Sequence, residues 1–347
     1  MQIPSGSFAP LSAVTVEAPA RLHLGFLDPN GSLGRPFGSV GLTIDERGTR
    51  ITMRSAEQTR IEGTRTDAER ARIERYLEQL QAAWGGPPVE LELLRAPRAH
   101  SGLGSGTQLA LAVGAAFASL GGRSASGAEI AQLLGRGKRS GIGMLGFDYG
   151  GLVVDGGPGH VVDAGDALRS SVPPLLCRHP FPDAWRILLV DDTTREGLHG
   201  DDERRGLASL APFPQALAAH LCHLVLMRVL PGVVQSDFDA FADGITELQQ
   251  TIGEYFAPVQ GGVFTSPAVA AALEAVASRQ TAGIGQTSWG PTGFAFVPGA
   301  ADAARALATA QEATRGKPGI VCSIVTGRNR GATPRAVDLQ KFGVDAG

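Results

Sequence analysis

Hydrophobic residues alternate with polar ones in some segments and recur every three or four residues in others. The first spacing predicts a strand and the second a helix. Strands are expected at 13–28 with a break at Pro19, 39–56 with a turn at Glu46 to Gly48, 89–96, 150–157, 185–192, 294–297 and 319–326. Helical spacing predicts helices at 67–85, 107–122, 126–137, 213–234 with a stop at Pro231-Gly232, 237–256, 266–280 and 300–314. Because strands and helices mix without strict alternation, this order is typical of an α+β protein.

The pattern divides into two halves near residues 175–184. A chain of 347 residues is long enough for two domains with cores of their own. We therefore expect an N-terminal domain over 14–175, a C-terminal domain over 176–327 and a C-terminal tail over 328–347.

Composition and net charge limit the classes of molecule that the protein is expected to bind. Hydrophobic residues make up 43% of the chain and charged residues 19%, which excludes a disordered protein. The formal net charge is -3, whereas proteins that bind nucleic-acid backbone usually carry a basic surplus. The charge therefore argues against nucleic acid and leaves room for a small anionic ligand.

The cysteines and the apolar stretches indicate in which cellular compartment the protein is expected. Cys177, Cys222 and Cys322 are odd in number and far apart, so we expect no disulfide and a reducing environment. The first residues lack the features of a signal peptide. Apolar stretches are interrupted well short of the ~20 residues that a membrane span needs, which predicts a cytoplasmic protein with no membrane partner.

The strongest local signal is the segment SGLGSGTQLALA at 101–112. Glycines allow tight turns and close approach of a ligand to the backbone, and the following helix directs its free N–H groups at the turn. A phosphate site is therefore predicted, with these candidate residues: Ser101, Gly102, Gly104, Ser105, Gly106, Thr107 and Gln108. An ordinary strand–turn–helix connection is the alternative.

Three segments together resemble the motifs of the GHMP superfamily, which includes galactokinase, homoserine kinase and mevalonate kinase. EAPARLHLGFLD at 17–28 is similar to the first motif, the glycine turn to the second, and GIGQTSWGPTGFAFV at 283–297 to the third. The resemblance implies a two-domain GHMP-kinase-like fold. Its N-terminal half would resemble domain 2 of ribosomal protein S5, and its C-terminal half would be ferredoxin-like.

Within the superfamily, the chain most resembles a non-kinase branch, the β-ribofuranosylaminobenzene 5′-phosphate synthases of tetrahydromethanopterin biosynthesis. The similar stretches include GRGKRSGIGMLGFDYGGLVVDGG at 135–157, GLHGDDE at 197–203 and QGGVFTSP at 260–267. In mevalonate-type kinases a segment like 140–151 carries a catalytic Asp, and here that position is Gly143. Glycine can neither orient nor deprotonate a hydroxyl, and Asp148 does not obviously substitute for the missing Asp.

The resemblance implies that phosphoribosyl pyrophosphate reacts with 4-aminobenzoate or 4-hydroxybenzoate to give a C-riboside 5′-phosphate, CO2 and pyrophosphate. It also suggests a homodimer. Two alternatives stay open, namely a GHMP-type small-molecule kinase and a non-catalytic relative that binds a phosphorylated metabolite.

Five residues are candidates for the catalytic role. Lys138 and Arg139 lie in a glycine-flanked basic run suited to pyrophosphate or carboxylate, with a solvated turn as the alternative. Arg21 stands where related kinases carry a cation near the phosphates. His23 replaces their usual Asn and either contacts the aromatic acid or packs. Asp28 could orient His23 or bind a ribose hydroxyl.

Further candidates lie in two loops of the C-terminal half. Asp202 and Glu203 suit Mg²⁺ bridged to pyrophosphate, because Mg²⁺ usually takes one or two carboxylates together with phosphate oxygens. The acidic start of a helix is the alternative. The predicted substrate-binding residues are His199 as a possible proton donor, Gln286, Ser288, and Trp289, whose ring could stack on the benzoate.

Overall fold

The computed structural model describes residues 13–159, 172–198 and 200–337. Within these ranges, one sheet contains β1 (Ala13–Asp28), β2 (Phe37–Ser55), β3 (Arg60–Glu62), β4 (Val89–Arg95), β5 (Leu152–Asp155), β6 (Leu175–His179) and β11 (Arg335–Val337). A second sheet contains β7 (Arg186–Asp192), β8 (Gly283–Gln286), β9 (Thr292–Val297) and β10 (Ile320–Val325). The α+β class and its two halves are confirmed.

Every predicted helix is present, and two short helices, at Ile142–Tyr149 and Gly200–Ser209, were not predicted. The N-terminal half contains α1 (Asp67–Trp84), α2 (Ser105–Leu120), α3 (Gly127–Leu133) and α4 (Ile142–Tyr149). The C-terminal half contains α5 (Gly200–Ser209), α6 (Gln215–Leu224), α7 (Leu230–Gln235), α8 (Phe238–Gln260), α9 (Pro267–Ala277) and α10 (Ala300–Ala313). A π-helical turn at Val225–Val229 joins α6 to α7. The predicted stop at Pro231 is wrong, because the helical run continues through this proline to Gln235, directly after the π-helical turn.

Strands β1 and β2 are each continuous where the sequence predicted two shorter strands. Ala18 pairs with Thr49 and Ala20 with Ile44, so residues 45–48 bulge opposite Pro19 instead of turning the chain. Glu46 adopts a φ of 64° within this bulge. The predicted break and turn are therefore irregularities inside one long strand pair, because a bulge adds residues without ending the ladder.

The second sheet confirms the ferredoxin-like half. Its strand order is β10-β7-β9-β8 and every neighbouring pair is antiparallel. One apolar cluster packs the face of this sheet against α9 and α10. Another joins the halves, with Leu22 and Leu42 on β1 and β2 packed in the same cluster as Phe241 and Leu248 on α8. This shared core fixes the position of one half on the other.

The first sheet extends beyond its predicted limits. Strand β6 pairs with β5, so the change from one sheet to the other comes after residue 179 and not at 175. The predicted tail also returns to this sheet, where Ala13 pairs with Val337 and the buried Arg328 forms a 2.9 Å ion pair with Asp45. Residues 338–347 lie outside the described ranges.

One helical run, Gln215–Gln235, is long and apolar enough to cross a membrane by length and composition, with a mean hydropathy of 1.7. The expectation that every apolar stretch is too short is therefore wrong. Leu221, Val225 and Val229 on this run belong to the shared core. The three cysteines are free, as predicted.

Candidate active site

The three motifs that resemble those of the GHMP superfamily meet at the junction of the two halves. The backbone N–H of Arg21 donates to the carbonyl of Leu103 at 3.2 Å. The N–H of His23 donates to Thr287 Oγ1, and that hydroxyl donates to the carbonyl of Gly102, both at 2.9 Å. The resemblance placed these motifs in one protein, and the hydrogen bonds place them in one site.

Glycine is required where the motifs touch. Gly102 has a φ of 90°, and a Cβ there would lie 2.3 Å from the carbonyl oxygen of Thr287. A Cβ at Gly290 would lie 2.3 Å from the carbonyl oxygen of Ser101. Since both contacts are to backbone atoms, which cannot move aside cheaply, these glycines allow the second and third motifs to pack directly on each other.

The N-terminus of α2 is open to a ligand. Its N-cap, Gly104, adopts a left-handed conformation with a φ of 80°, and no side chain caps the helix. The first N–H groups of an α-helix have no partner within the helix and carry the positive end of its dipole. The start of α2 therefore offers donors to an anion, as the sequence predicted.

A cleft with a volume of about 460 Å³ opens in front of this helix. The described residues that line it are Arg21, Arg72, Arg75, Tyr76, His100, Gly102, Gly104, Ser105, Gly106, Thr107, Arg136, Gly197, Leu198, Gly200, Glu203, Ser288, Trp289 and Gly290. Four arginines face one carboxylate in this set. The charge of the cleft is therefore strongly positive, although the chain as a whole is slightly acidic.

Two of the arginines are held against the turn. Arg21 donates to the carbonyl of Gly102, and burial lowers its pKa to about 10, with Glu203 acting in the opposite direction. Arg136 donates to Thr107 Oγ1 at 3.2 Å, while its own Nε is buried without a hydrogen-bond partner in the described ranges. A buried donor without a partner indicates that a ligand completes its hydrogen bonding.

Sequence reasoning missed Arg72 and Arg75. They stand three residues apart on α1, which places both on one face of the helix. Arg72 Nη1 would lie 3.7 Å from a Cβ at Gly106, next to the start of α2. The spacing of the two arginines on the polar face of a predicted helix can be seen in the sequence. Only the packing of α1 beside α2 shows that both line the cleft.

Of the two predicted metal ligands, only Glu203 reaches the cleft. Its carboxylate forms an ion pair with Arg139, which connects Arg139 to the site. Asp202 is exposed and pairs with Arg205 at 2.6 Å. Among the residues that the structure describes, no group of three or more His, Cys, Asp or Glu could hold a metal ion.

A second, mostly apolar pocket adjoins the cleft, with a volume of about 40 Å³. It is lined by His23, Gly25, Phe26, Gln249, Ile252, Gly253, Phe256, Gln260, Val263, Gln286, Ser288 and Trp289. Ser288 and Trp289 line both cavities, so the two lie next to each other. Burial, and then the charge of Arg21, lower the pKa of His23 to about 3, which makes its imidazole neutral.

The predicted substrate-binding residues lie around this junction. Ser288 has a φ of 55°, a strained conformation of the kind that clusters at functional sites. Trp289 packs on Phe256 with ring centroids 4.5 Å apart and also lines both cavities. Gln286 Oε1 accepts from the N–H of Thr265 at 2.6 Å, so it organises the loop. His199 lies outside the described residues.

Several predicted residues lie elsewhere. Lys138 is exposed and does not line the cleft, where Arg136 stands instead. Asp28 accepts from the N–H groups of Gly31 and Ser32, and so stabilises its own turn. Two members of the glycine segment are also absent from the cleft lining: Ser101 Oγ donates to the carbonyl of Arg98, and Gln108 Nε2 donates to that of Gly143, both at 2.9 Å.

The position that the resemblance assigns to the kinase Asp holds a glycine in this chain. Gly143 lies in the first turn of α4, and a Cβ there would come within 3.0 Å of Thr107 Cγ2. Asp148 accepts from the N–H of Gly127 at 2.8 Å and so satisfies the first N–H of α3, whose N-cap is Ser126. This role agrees with the prediction that Asp148 does not substitute for the missing Asp.

Comparison with known proteins identifies the family. Models of the N-terminal and C-terminal domains of GHMP kinases match residues 71–151 and 229–315. The fold is similar to homoserine kinase from Cytophaga hutchinsonii, with a TM-score of 0.62 and 17% identity over 96% of this chain and 99% of that one.

Two curated relatives carry the same name, beta-ribofuranosylphenol 5′-phosphate synthase. The protein from Archaeoglobus fulgidus is 36% identical over 68% of this chain and 75% of its own length. The protein from Methanothermobacter thermautotrophicus is 30% identical over 91% of this chain and 97% of its own. With this coverage and the shared fold, the chain belongs to the β-ribofuranosylphenol 5′-phosphate synthase family of the GHMP superfamily.

Proposed function

We propose that this chain condenses phosphoribosyl pyrophosphate with a 4-substituted benzoate and releases CO2 and pyrophosphate. The observation that carries the proposal is the cleft in which four arginines surround the uncapped start of α2. Its size lies within the range of small-molecule sites. The relatives are named for a phenol riboside phosphate, and a phenol is what 4-hydroxybenzoate becomes when its carboxylate leaves as CO2. We therefore favour 4-hydroxybenzoate over 4-aminobenzoate.

The phosphates would bind at the α2 end of the cleft. The N–H groups at Ser105 and Gly106, together with Arg72 and Arg136, present donors to one phosphoryl group. Arg21 is fixed beside Gly102 and supplies a further cation. Charge-assisted bonds from guanidinium groups to phosphate are among the strongest that proteins form.

The chemistry needs charge stabilisation more than a base. The bond from the anomeric carbon to pyrophosphate breaks, and its electron pair leaves with the pyrophosphate. The ring carbon that bears the carboxylate bonds to the anomeric carbon, and the bond to CO2 then breaks so that its electrons restore the aromatic ring. Cations that are already in place at the leaving group stabilise the transition state without reorganising.

The kinase alternative has less support. Gly143 occupies the position of the kinase Asp, and the described carboxylate lining the cleft, Glu203, is paired with Arg139. Neither group is placed to take a proton from a bound alcohol.

We propose Glu203 as the residue that would hold a magnesium ion in the cleft. Mg²⁺ is usually bound by one or two carboxylates plus substrate phosphates, and Glu203 offers one carboxylate near the proposed phosphate site. When bound, Mg²⁺ would offset the negative charge of the pyrophosphate. A cytoplasmic location, a homodimer and a role in tetrahydromethanopterin biosynthesis are further parts of this proposal.

The decisive experiment incubates the purified protein with Mg²⁺, phosphoribosyl pyrophosphate and carboxyl-labelled 4-hydroxybenzoate or 4-aminobenzoate. We expect labelled CO2 and pyrophosphate in equal amounts, with the hydroxy compound preferred. ATP-dependent phosphorylation of an alcohol would support the kinase alternative. Binding without any turnover would support a non-catalytic relative.

A further inference from the structure

The apolar pocket beside the cleft is lined by a buried histidine, whose side chain is only partly satisfied by hydrogen bonds. His23 is 5% exposed, and its Nε2 has no hydrogen-bond partner within the described ranges. The nearby glutamines are engaged: Gln249 Nε2 donates to the carbonyl of Leu24, and Gln286 Nε2 donates to Gln260 Oε1 at 3.3 Å. His23 Nε2 is therefore the atom of this lining that a ligand could pair with.

The rest of the pocket suits an aromatic ring. The Phe26 ring lies edge-on to His23 with centroids 4.6 Å apart, and Phe256 and Trp289 complete the wall. The space of about 40 Å³ takes only a few groups of the size of a water molecule, which is less than a whole benzoate. The pocket therefore fits one end of a ring whose other end projects into the cleft.

We propose that this pocket binds the para substituent of the aromatic acid and that His23 determines specificity by accepting a hydrogen bond from a para hydroxyl at Nε2. The inference rests on the proposed function. In a 4-substituted benzoate, the substituent and the reacting carbon lie at opposite ends of the ring. A subsite for the substituent must then adjoin the phosphate cleft without coinciding with it, which is how the two cavities are arranged around Ser288 and Trp289.

The chemistry of His23 favours hydroxyl over amine. Because burial and Arg21 lower its pKa, the imidazole is neutral near pH 7 and can accept a hydrogen bond. A phenol hydroxyl has one proton to donate, and His23 receives it. An aniline has a second N–H, which would stay unpaired in an apolar pocket at a cost in affinity.

The test measures dissociation constants by calorimetry for 4-hydroxybenzoate, 4-aminobenzoate, 4-methoxybenzoate and unsubstituted benzoate, with Mg²⁺ and pyrophosphate present. We expect the wild-type protein to bind 4-hydroxybenzoate roughly ten-fold more tightly than benzoate. His23→Leu should bring that ratio close to one. His23→Gln, whose amide oxygen reaches about as far as Nε2, should restore part of it.

Ile252→Val is the matched control, because it removes a methylene from the same pocket without touching the hydrogen bond. It should weaken the binding of all four acids alike and keep the ratio of dissociation constants for 4-hydroxybenzoate and benzoate. Circular dichroism confirms that each variant is folded. The proposal is overturned if 4-hydroxybenzoate does not bind, or if folded His23→Leu and His23→Gln both keep the wild-type ratio.

The assay separates this inference from the proposed function. If labelled CO2 forms but the ratio is independent of residue 23, the subsite is wrong and the reaction stands. If no CO2 forms while the ratio depends on residue 23, the reaction is wrong and the protein recognises a para-hydroxylated aromatic acid for another purpose.

Discussion

Arg139 and Glu203 form an ion pair that joins the loop before α4 in the N-terminal half to the first turn of α5 in the C-terminal half. Both side chains are partly exposed, so the pair adds little to the stability of the fold. Its importance is positional, since it holds the carboxylate of Glu203 at the edge of the arginine-lined cleft.

The first prediction concerns this carboxylate as a magnesium ligand. Glu203→Gln should raise the Mg²⁺ concentration needed for half-maximal activity several-fold, because a neutral amide binds the ion more weakly. Asp202→Asn is the control, since Asp202 pairs with Arg205 outside the cleft lining. Mg²⁺ titrations of the CO2 assay measure both, and equal curves for wild type and Glu203→Gln would remove Glu203 as a ligand.

The second prediction compares two cations two residues apart. Arg136 lines the cleft and contacts Thr107, whereas Lys138 is exposed outside it. Arg136→Ala should lower kcat by about 10²–10³, because its contact to the leaving group strengthens in the transition state. Lys138→Ala should change kcat less than about three-fold, as surface substitutions usually do. Steady-state kinetics decide, and the reverse ranking would assign the catalytic cation to Lys138 instead.

The third prediction concerns Gly104 at the start of α2. Its φ of 80° disfavours a branched side chain, and a Cβ there would lie 3.2 Å from Arg21 Nε. Gly104→Val should abolish measurable binding of phosphoribosyl pyrophosphate while the protein remains folded. Gly122→Val is the control, because Gly122 also has a positive φ, of 65°, but lies past the other end of α2 with no atom within 4 Å of its Cβ position. This control should lose stability and keep its affinity, as calorimetry can show.

The fourth prediction concerns the dependence of stability on pH. Burial and Arg21 lower the pKa of His23 to about 3 from the ordinary 6.5. As pH falls below 6.5, the unfolded chain binds a proton that the folded imidazole refuses, so this contribution to stability is complete above 6.5 and is lost progressively toward pH 3. Between pH 7 and pH 4.5, the loss from this group is about 2–3 kcal/mol.

Urea unfolding at both pH values measures this loss. In His23→Leu the decrease in unfolding free energy should be smaller by that amount, because all other titrating groups are shared with the wild type. An equal decrease in both proteins would mean that His23 is not buried as a neutral group.

Local features of the chain were predictable because they depend on near neighbours in sequence. Helix α1 follows from its N-cap Thr66 and from the spacing of Ile73, Tyr76, Leu77 and Leu80, all of them buried. The glycine turn, its open helix and the glycine at position 143 were all visible in the sequence. The resemblance to the GHMP motifs added the family and the ferredoxin-like half.

The composition of the cleft, in contrast, was decided by tertiary structure. In the sequence Arg72 is an ordinary polar residue of α1, and only the packing of α1 beside α2 brings it to the cleft. Of Arg136 and Lys138, only Arg136 reaches the cleft, where it contacts Thr107. His23 lies on β1, and its role depends on α8 and the third motif, which are more than 200 residues away along the chain. Sequence patterns encode spacing along one element, whereas burial and a lowered pKa arise only when distant elements exclude water from the same place.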